Sequence, residues 1–126
     1  MIVHVDTSSL IDALTGPRRS LETLIRLTDE GHRLAISTIV LYEWLRGPRK
    51  KTELEAQEAL FPFELAVAFG PAEGVLAAKL YKQVSRSRGR EIDLAIAALA
   101  IANGAAILTL NPEDFSDVPG LKLVEP

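Results

Sequence analysis

The chain has 126 residues, a net charge of −3, 48% hydrophobic and 25% charged residues, and no cysteine. That length suits one domain over residues 1–126, and the composition is that of an apolar core under a charged coat. No apolar run approaches the roughly 18 residues of a membrane span, and the missing cysteines exclude disulfides and thiolate metal sites.

Residues 2–5 form a short apolar run that ends in Asp6-Thr7-Ser8-Ser9, which reads as a strand passing into a helix N-terminus. With no basic segment ahead of this run, the start is expected not to be a secretory signal, and a cytoplasmic setting fits. Leu10, Ile11 and Leu14 share one helical face before Gly16-Pro17. Leu21, Leu24, Ile25 and Leu27 repeat the helical spacing up to Gly31. A second strand is expected over residues 33–37, and Ser37 or Thr38 then caps a helix running to Arg46, before Gly47-Pro48.

Residues 52–60 predict an exposed helix, and the apolar stretch 63–69 predicts a third strand. Gly70-Pro71 opens a long helix carrying Val75, Leu76, Leu80 and Val84. Residues 92–102 are almost wholly apolar, so that helix is expected to be buried on most sides. After Asn103-Gly104, strands are expected over residues 106–110 and 121–124. Strands alternating with helices across short turns indicate an α/β fold, a mostly parallel sheet with helices on both faces. Ligands of such sheets sit beyond the carboxyl ends of the strands, where the strand order reverses.

Four acids fall where that rule points. Asp6 ends the first strand, Glu43 lies one turn into the helix after the second, Asp93 opens the buried helix, and Asp114 follows the fourth strand. Each also suits a plainer role. Asp6 and Asp93 occupy helix N-termini, where Asp is favoured as a cap or by the macrodipole. Asn111-Pro112 reads as a cap and first helical residue, with Asp114 at the capping-box position. Glu43 has Leu41, Tyr42, Trp44 and Leu45 around it, and a carboxylate in so apolar a run is expensive unless paired, protonated or metal-bound.

Acids gathered at one sheet edge repel each other unless a cation compensates them. Mg2+ and Mn2+ prefer carboxylate and water oxygens. His4 and His32 lie at no metal-ligand spacing, so zinc is not expected. Basic residues cluster at Arg18-Arg19, at Arg46, Arg49, Lys50 and Lys51, and at Arg86, Arg88 and Arg90. These are either solvated helix ends or tracks for a polyanion, so the composition permits RNA binding without arguing for it.

Four segments resemble, in order, the motifs of PIN domains, particularly the VapC-type toxins. They are Val5-Asp6-Thr7-Ser8-Ser9-Leu10-Ile11; Ser37-Thr38-Ile39-Val40-Leu41-Tyr42-Glu43-Trp44-Leu45-Arg46-Gly47; Arg88-Gly89-Arg90-Glu91-Ile92-Asp93-Leu94-Ala95-Ile96-Ala97-Ala98; and Leu108-Thr109-Leu110-Asn111-Pro112-Glu113-Asp114-Phe115. The resemblance implies a three-layer α/β/α sandwich around a mostly parallel sheet. It also implies a Mg2+- or Mn2+-dependent endoribonuclease, a homodimer, and a cognate VapB-like antitoxin encoded beside it. On that resemblance Asp6, Glu43 and Asp93 hold the metal, and Asp114 or Asn111 fills the fourth position. Ser8 and Thr109 assist, while Arg46, Arg88 and Arg90 are candidates to track the RNA.

Two other strand-Asp enzymes fit less well. A haloacid-dehalogenase-like phosphatase needs a second Asp where this chain has Ser8, and a receiver domain needs a phospho-acceptor Asp near mid-chain. A PIN fold kept as a silent binding module is the non-enzymatic alternative.

Overall fold

The computed structural model describes residues 1–126. In chain order the elements are β1 (Ile2–Val5), α1 (Thr7–Leu14), α2 (Leu21–Asp29), β2 (Arg33–Ala35), α3 (Thr38–Arg46), α4 (Lys51–Leu60), α5 (Pro71–Gln83), α6 (Glu91–Ala102), β3 (Ala105–Leu108) and β4 (Lys122–Val124). Short 3-10 helices at Phe63–Leu65 and Pro112–Asp114 complete the chain. None of the helices is long and apolar enough to cross a membrane.

The sheet has four parallel strands in the order β2-β1-β3-β4. Chain direction across the sheet reverses at β1. From β1 the chain moves outward to β2, then returns past β1 to lay down β3 on its other side. Right-handed crossovers in opposite directions place their helices on opposite faces. The reversal makes the crevice between the carboxyl ends of β1 and β3 the expected ligand position. In-register pairing from Ile2↔Ala105 to Val5↔Leu108 brings those two strand ends level, and the Asp6 N–H extends the ladder by donating to Leu108 O at 2.9 Å.

α6 is the central support. Leu94 to Ala100 are all buried, and the alanines let the helix lie close to the sheet. Its C-terminal Asn103 meets β1 through Nδ2 and His4 Nε2 at 2.8 Å. His4 is buried, and burial lowers its pKa. It is therefore a neutral structural residue, as its alternation with Val3 and Val5 suggests. Ser37 settles the start of α3, accepting the Val40 N–H on its Oγ at 3.1 Å.

The stretch 63–69 does not form the expected third strand. Residues Phe63 to Leu65 turn as a 3-10 helix, and only Val67 reaches the sheet, as an isolated parallel bridge to Ser37. The reason is local. Pro62 supplies no N–H, Glu58 Oε2 takes that of Phe63 at 3.1 Å, and the next donors close turns onto Pro62 O and Phe63 O. Phe63 and Leu65 consequently face solvent at 58% and 74% exposure, so their apolar character never buries a strand face.

Candidate active site

Asp6 sits at the N-cap of α1 without capping it. Its Oδ2 instead accepts from Ser8 Oγ at 3.1 Å and from Thr109 Oγ1 at 2.8 Å, joining the ends of β1 and β3. The two hydroxyls lie 3.2 Å apart and also accept backbone donors: Leu110 N–H to Ser8 Oγ at 3.1 Å, and Asn111 N–H to Thr109 Oγ1 at 3.0 Å. Asp6 is only 6% exposed, so this network fixes a nearly buried carboxylate in one orientation.

The other acids are not caps either. A capping box at Asp114 requires its carboxylate to accept the Asn111 N–H, and that donor is already taken by Thr109. The Asn111 side chain makes no cap bond and stands exposed. Asp93 is third in α6, whose N-cap residue Arg90 directs its N–H to Ser87 O. Glu43 is reached from another helix: Thr7 Oγ1 donates to Oε1 at 2.6 Å, and Arg46 Nη2 lies 3.4 Å from Oε2. Thr7 carries no distinguishing signal in the sequence, because nothing there pairs it with a residue on α3.

Electrostatics tie these positions together. The Asp93 carboxyl is pushed up to about 6, chiefly by burial, then by repulsion from Asp114, Asp6 and Glu43, with Arg90 opposing. A carboxyl that feels three others shares a space with them. The side chains do not close into a ready-made cage, since no three acids or histidines stand at direct-ligation spacing. That arrangement still fits Mg2+ or Mn2+, which keep several waters and bind through one or two carboxylates plus substrate oxygens. The donor set is entirely oxygen (Asp6, Glu43, Asp93 and Asp114, with the Ser8 and Thr109 hydroxyls) and suits a hard cation rather than zinc.

The arginines are used unequally. Arg90 forms a bidentate pair with Asp117, at 2.6 and 2.9 Å, and donates to Asp114 O at 3.0 Å. Its charge faces Asp117, and the same guanidinium anchors the 3-10 segment through Asp114 O. Arg46 lies over the Tyr42 ring, 5.3 Å from the centroid, beside Glu43. Arg88 is exposed and forms no ion pair.

The PIN-domain sequence pattern matches residues 3–121. The chain belongs to the PIN-domain family. This PIN domain is 32% identical to ribonuclease VapC19 of Mycobacterium tuberculosis, over 94% of the chain and 95% of that protein. It is 26% identical to a chain in a toxin–antitoxin complex from Klebsiella pneumoniae, with a TM-score of 0.71 and 94% of each chain covered. The fold also matches a chain of VapBC2 from Rickettsia felis, solved bound to a promoter DNA fragment. That match has a TM-score of 0.78 at 24% identity and covers 98% of each chain. The α/β fold expected from the alternating elements is the fold of these structures.

Proposed function

We propose that this PIN domain is a metal-dependent endoribonuclease and the toxin of a toxin–antitoxin pair. The observation that carries the reading is Asp93, held partly buried among Asp114, Asp6 and Glu43, with its pKa raised to about 6. Such crowding costs stability unless a cation is held there. Similarity to a ribonuclease over nearly the whole chain supports RNA as the substrate class.

Asp6, Glu43 and Asp93 are the residues to hold Mg2+ or Mn2+, with Asp114 as a secondary contributor. When bound, the cation supplies charge for the scissile phosphate and lowers the pKa of the attacking water. The chain's own contribution is orientation. Ser8 and Thr109 fix Asp6 through Oδ2, and the α6 N-terminus carries Asp93. Asn111 assists only through its backbone N–H. Arg88 and Arg46 are the candidates to meet phosphates of the flanking RNA, with Arg90 beside them. No Ser-His pair competes as a nucleophilic device, since His4 is sequestered against Asn103 and His32 lies against the Met1 amine and Glu30. The reading includes a cognate antitoxin partner, a homodimer and a cytoplasmic location for a single domain, residues 1–126.

Purified, partner-free protein should cleave single-stranded RNA when Mg2+ or Mn2+ is added and cease with EDTA. RNA binding without cleavage under all these conditions would leave a binding module and defeat the nuclease reading.

A further inference from the structure

We infer that Thr7 is a positioning residue for Glu43, holding one carboxylate oxygen so that only the other is presented to a cation. The inference rests on the metal-site reading above and assigns a residue outside the acidic set. A glutamate has three side-chain torsions and loses much conformational freedom when ordered. Here the ordering comes from a different element. Thr7 is the first residue of α1 and immediately follows Asp6, so the end of β1 fixes its backbone. Its β-branched side chain has few accessible rotamers, and its hydroxyl donates to Glu43 Oε1 at 2.6 Å across the α1–α3 interface.

The two oxygens of Glu43 are treated differently. Oε1 takes the short bond from partly buried Thr7. Oε2 faces Arg46 at 3.4 Å, and that arginine side chain is 55% exposed and also leans on Tyr42. An exposed pair of that length is weak and screened, so a cation displaces Arg46 from Oε2 more readily than it displaces Thr7 from Oε1. Asp6 and Thr7 are consecutive residues, so a single turn of chain both contributes one carboxylate and aims another that lies 36 positions away. A partner donor of this kind, bonded to a ligand carboxylate, sets the ligand's orientation and basicity.

The test uses Thr7→Val, which keeps the branched shape and removes only the donor, with Thr7→Ser restoring it. Each variant is first verified as folded by its melting temperature, and Thr7→Ala replaces the valine variant if that one fails to fold. Mn2+ binding is then titrated calorimetrically, without RNA, in the parent, the Thr7 variants, Glu43→Gln and the double variant. Thr7→Val should weaken Mn2+ binding about tenfold, Thr7→Ser should stay within about twofold of the parent, and Thr7→Val should add nothing on the Glu43→Gln background. In RNA cleavage, the Thr7→Val deficit should shrink as Mn2+ approaches saturation. A Thr7→Val titration that overlays the parent's, or an equal loss on the Glu43→Gln background, overturns the inference. So does a parent that binds no Mn2+. A parent that binds Mn2+ and leaves RNA intact overturns the nuclease reading alone, and the Thr7 titrations still decide this one.

Discussion

The two halves of the acidic site are built differently. At the ends of β1 and β3, Asp6 is nearly buried and tied to two hydroxyls, which are themselves tied to backbone. Across from it, Asp93 has no such partner and is raised to about 6 by burial and by its acidic neighbours. The β1–β3 half is satisfied without a cation, whereas the α6 half is under an electrostatic tension that a cation would relieve. A site of this design would hold its shape in the metal-free state and still gain free energy on loading.

The largest effect should come from breaking the ordered half. Asp6→Asn removes a charge at the centre of the network, and single-turnover RNA cleavage at saturating Mn2+ should fall by at least ~10²-fold in a protein that still melts cooperatively. A folded Asp6→Asn protein cleaving at the parent rate removes Asp6 from the chemistry.

Next in size is Thr109→Val, which deletes the hydroxyl joining Asp6 Oδ2 to the Asn111 N–H. Thr109 is buried, and stripping one donor from a buried carboxylate should cost about 1–3 kcal/mol. Urea denaturation of metal-free protein reads this directly, and an unchanged midpoint would show that the network is not what holds Asp6.

The tense half should respond in the opposite direction. A raised carboxyl pKa means that folded protein binds the Asp93 proton more tightly than unfolded chain does. Its unfavourable contribution is therefore absent below the unfolded value of 3.8 and grows as pH rises through about 6. Because Asp93 is only partly buried, the full conversion at 1.36 kcal/mol per unit is discounted to about 1 kcal/mol. Metal-free Asp93→Asn should thus be more stable than the parent by about that amount at pH 7.5, with no gain near pH 3.5. A variant less stable than the parent at pH 7.5 would mean that Asp93 is satisfied in a way the account omits.

The smallest effect should be Asp114→Asn. Asp114 is exposed and caps nothing, so stability should change by less than about 0.5 kcal/mol. Its repulsion of Asp93 makes it part of the same space, so cleavage should weaken at low Mn2+ and recover at high Mn2+. Superimposed metal titrations of activity for parent and variant would remove Asp114 from the site.

These contrasts also mark what a sequence can carry. Asp6 and Asp93 are legible because each stands where an apolar period meets a helix start, and that junction is written in consecutive residues. α6 is legible because an apolar helix without a polar face has nowhere to go but the interior. Contacts between distant residues are not written that way. Thr7 with Glu43 and Arg90 with Asp117 are 36 and 27 positions apart, and only the packing of α1 on α3 and the approach of the turn at residues 115–117 to the N-cap of α6 create them. The apolar composition of residues 63–69 suggests a strand but does not report exposure, and Glu58 and Pro62 direct the backbone into a turn. The capping readings of Asp6 and Asp114 follow from position alone, and hydrogen bonds made by Ser8 and Thr109 displace them.

If Asp6, Glu43 and Asp93 face one cation-holding space, thermal melting with added Mn2+ must reveal it. Folded protein that binds the ion should gain a few kcal/mol at about 100 times the dissociation constant, seen as a rise in melting temperature. The triple variant Asp6→Asn/Glu43→Gln/Asp93→Asn should start from its own metal-free value and show no such rise. An equal shift in parent and triple variant would contradict the account, because the ion would then be acting elsewhere on the surface.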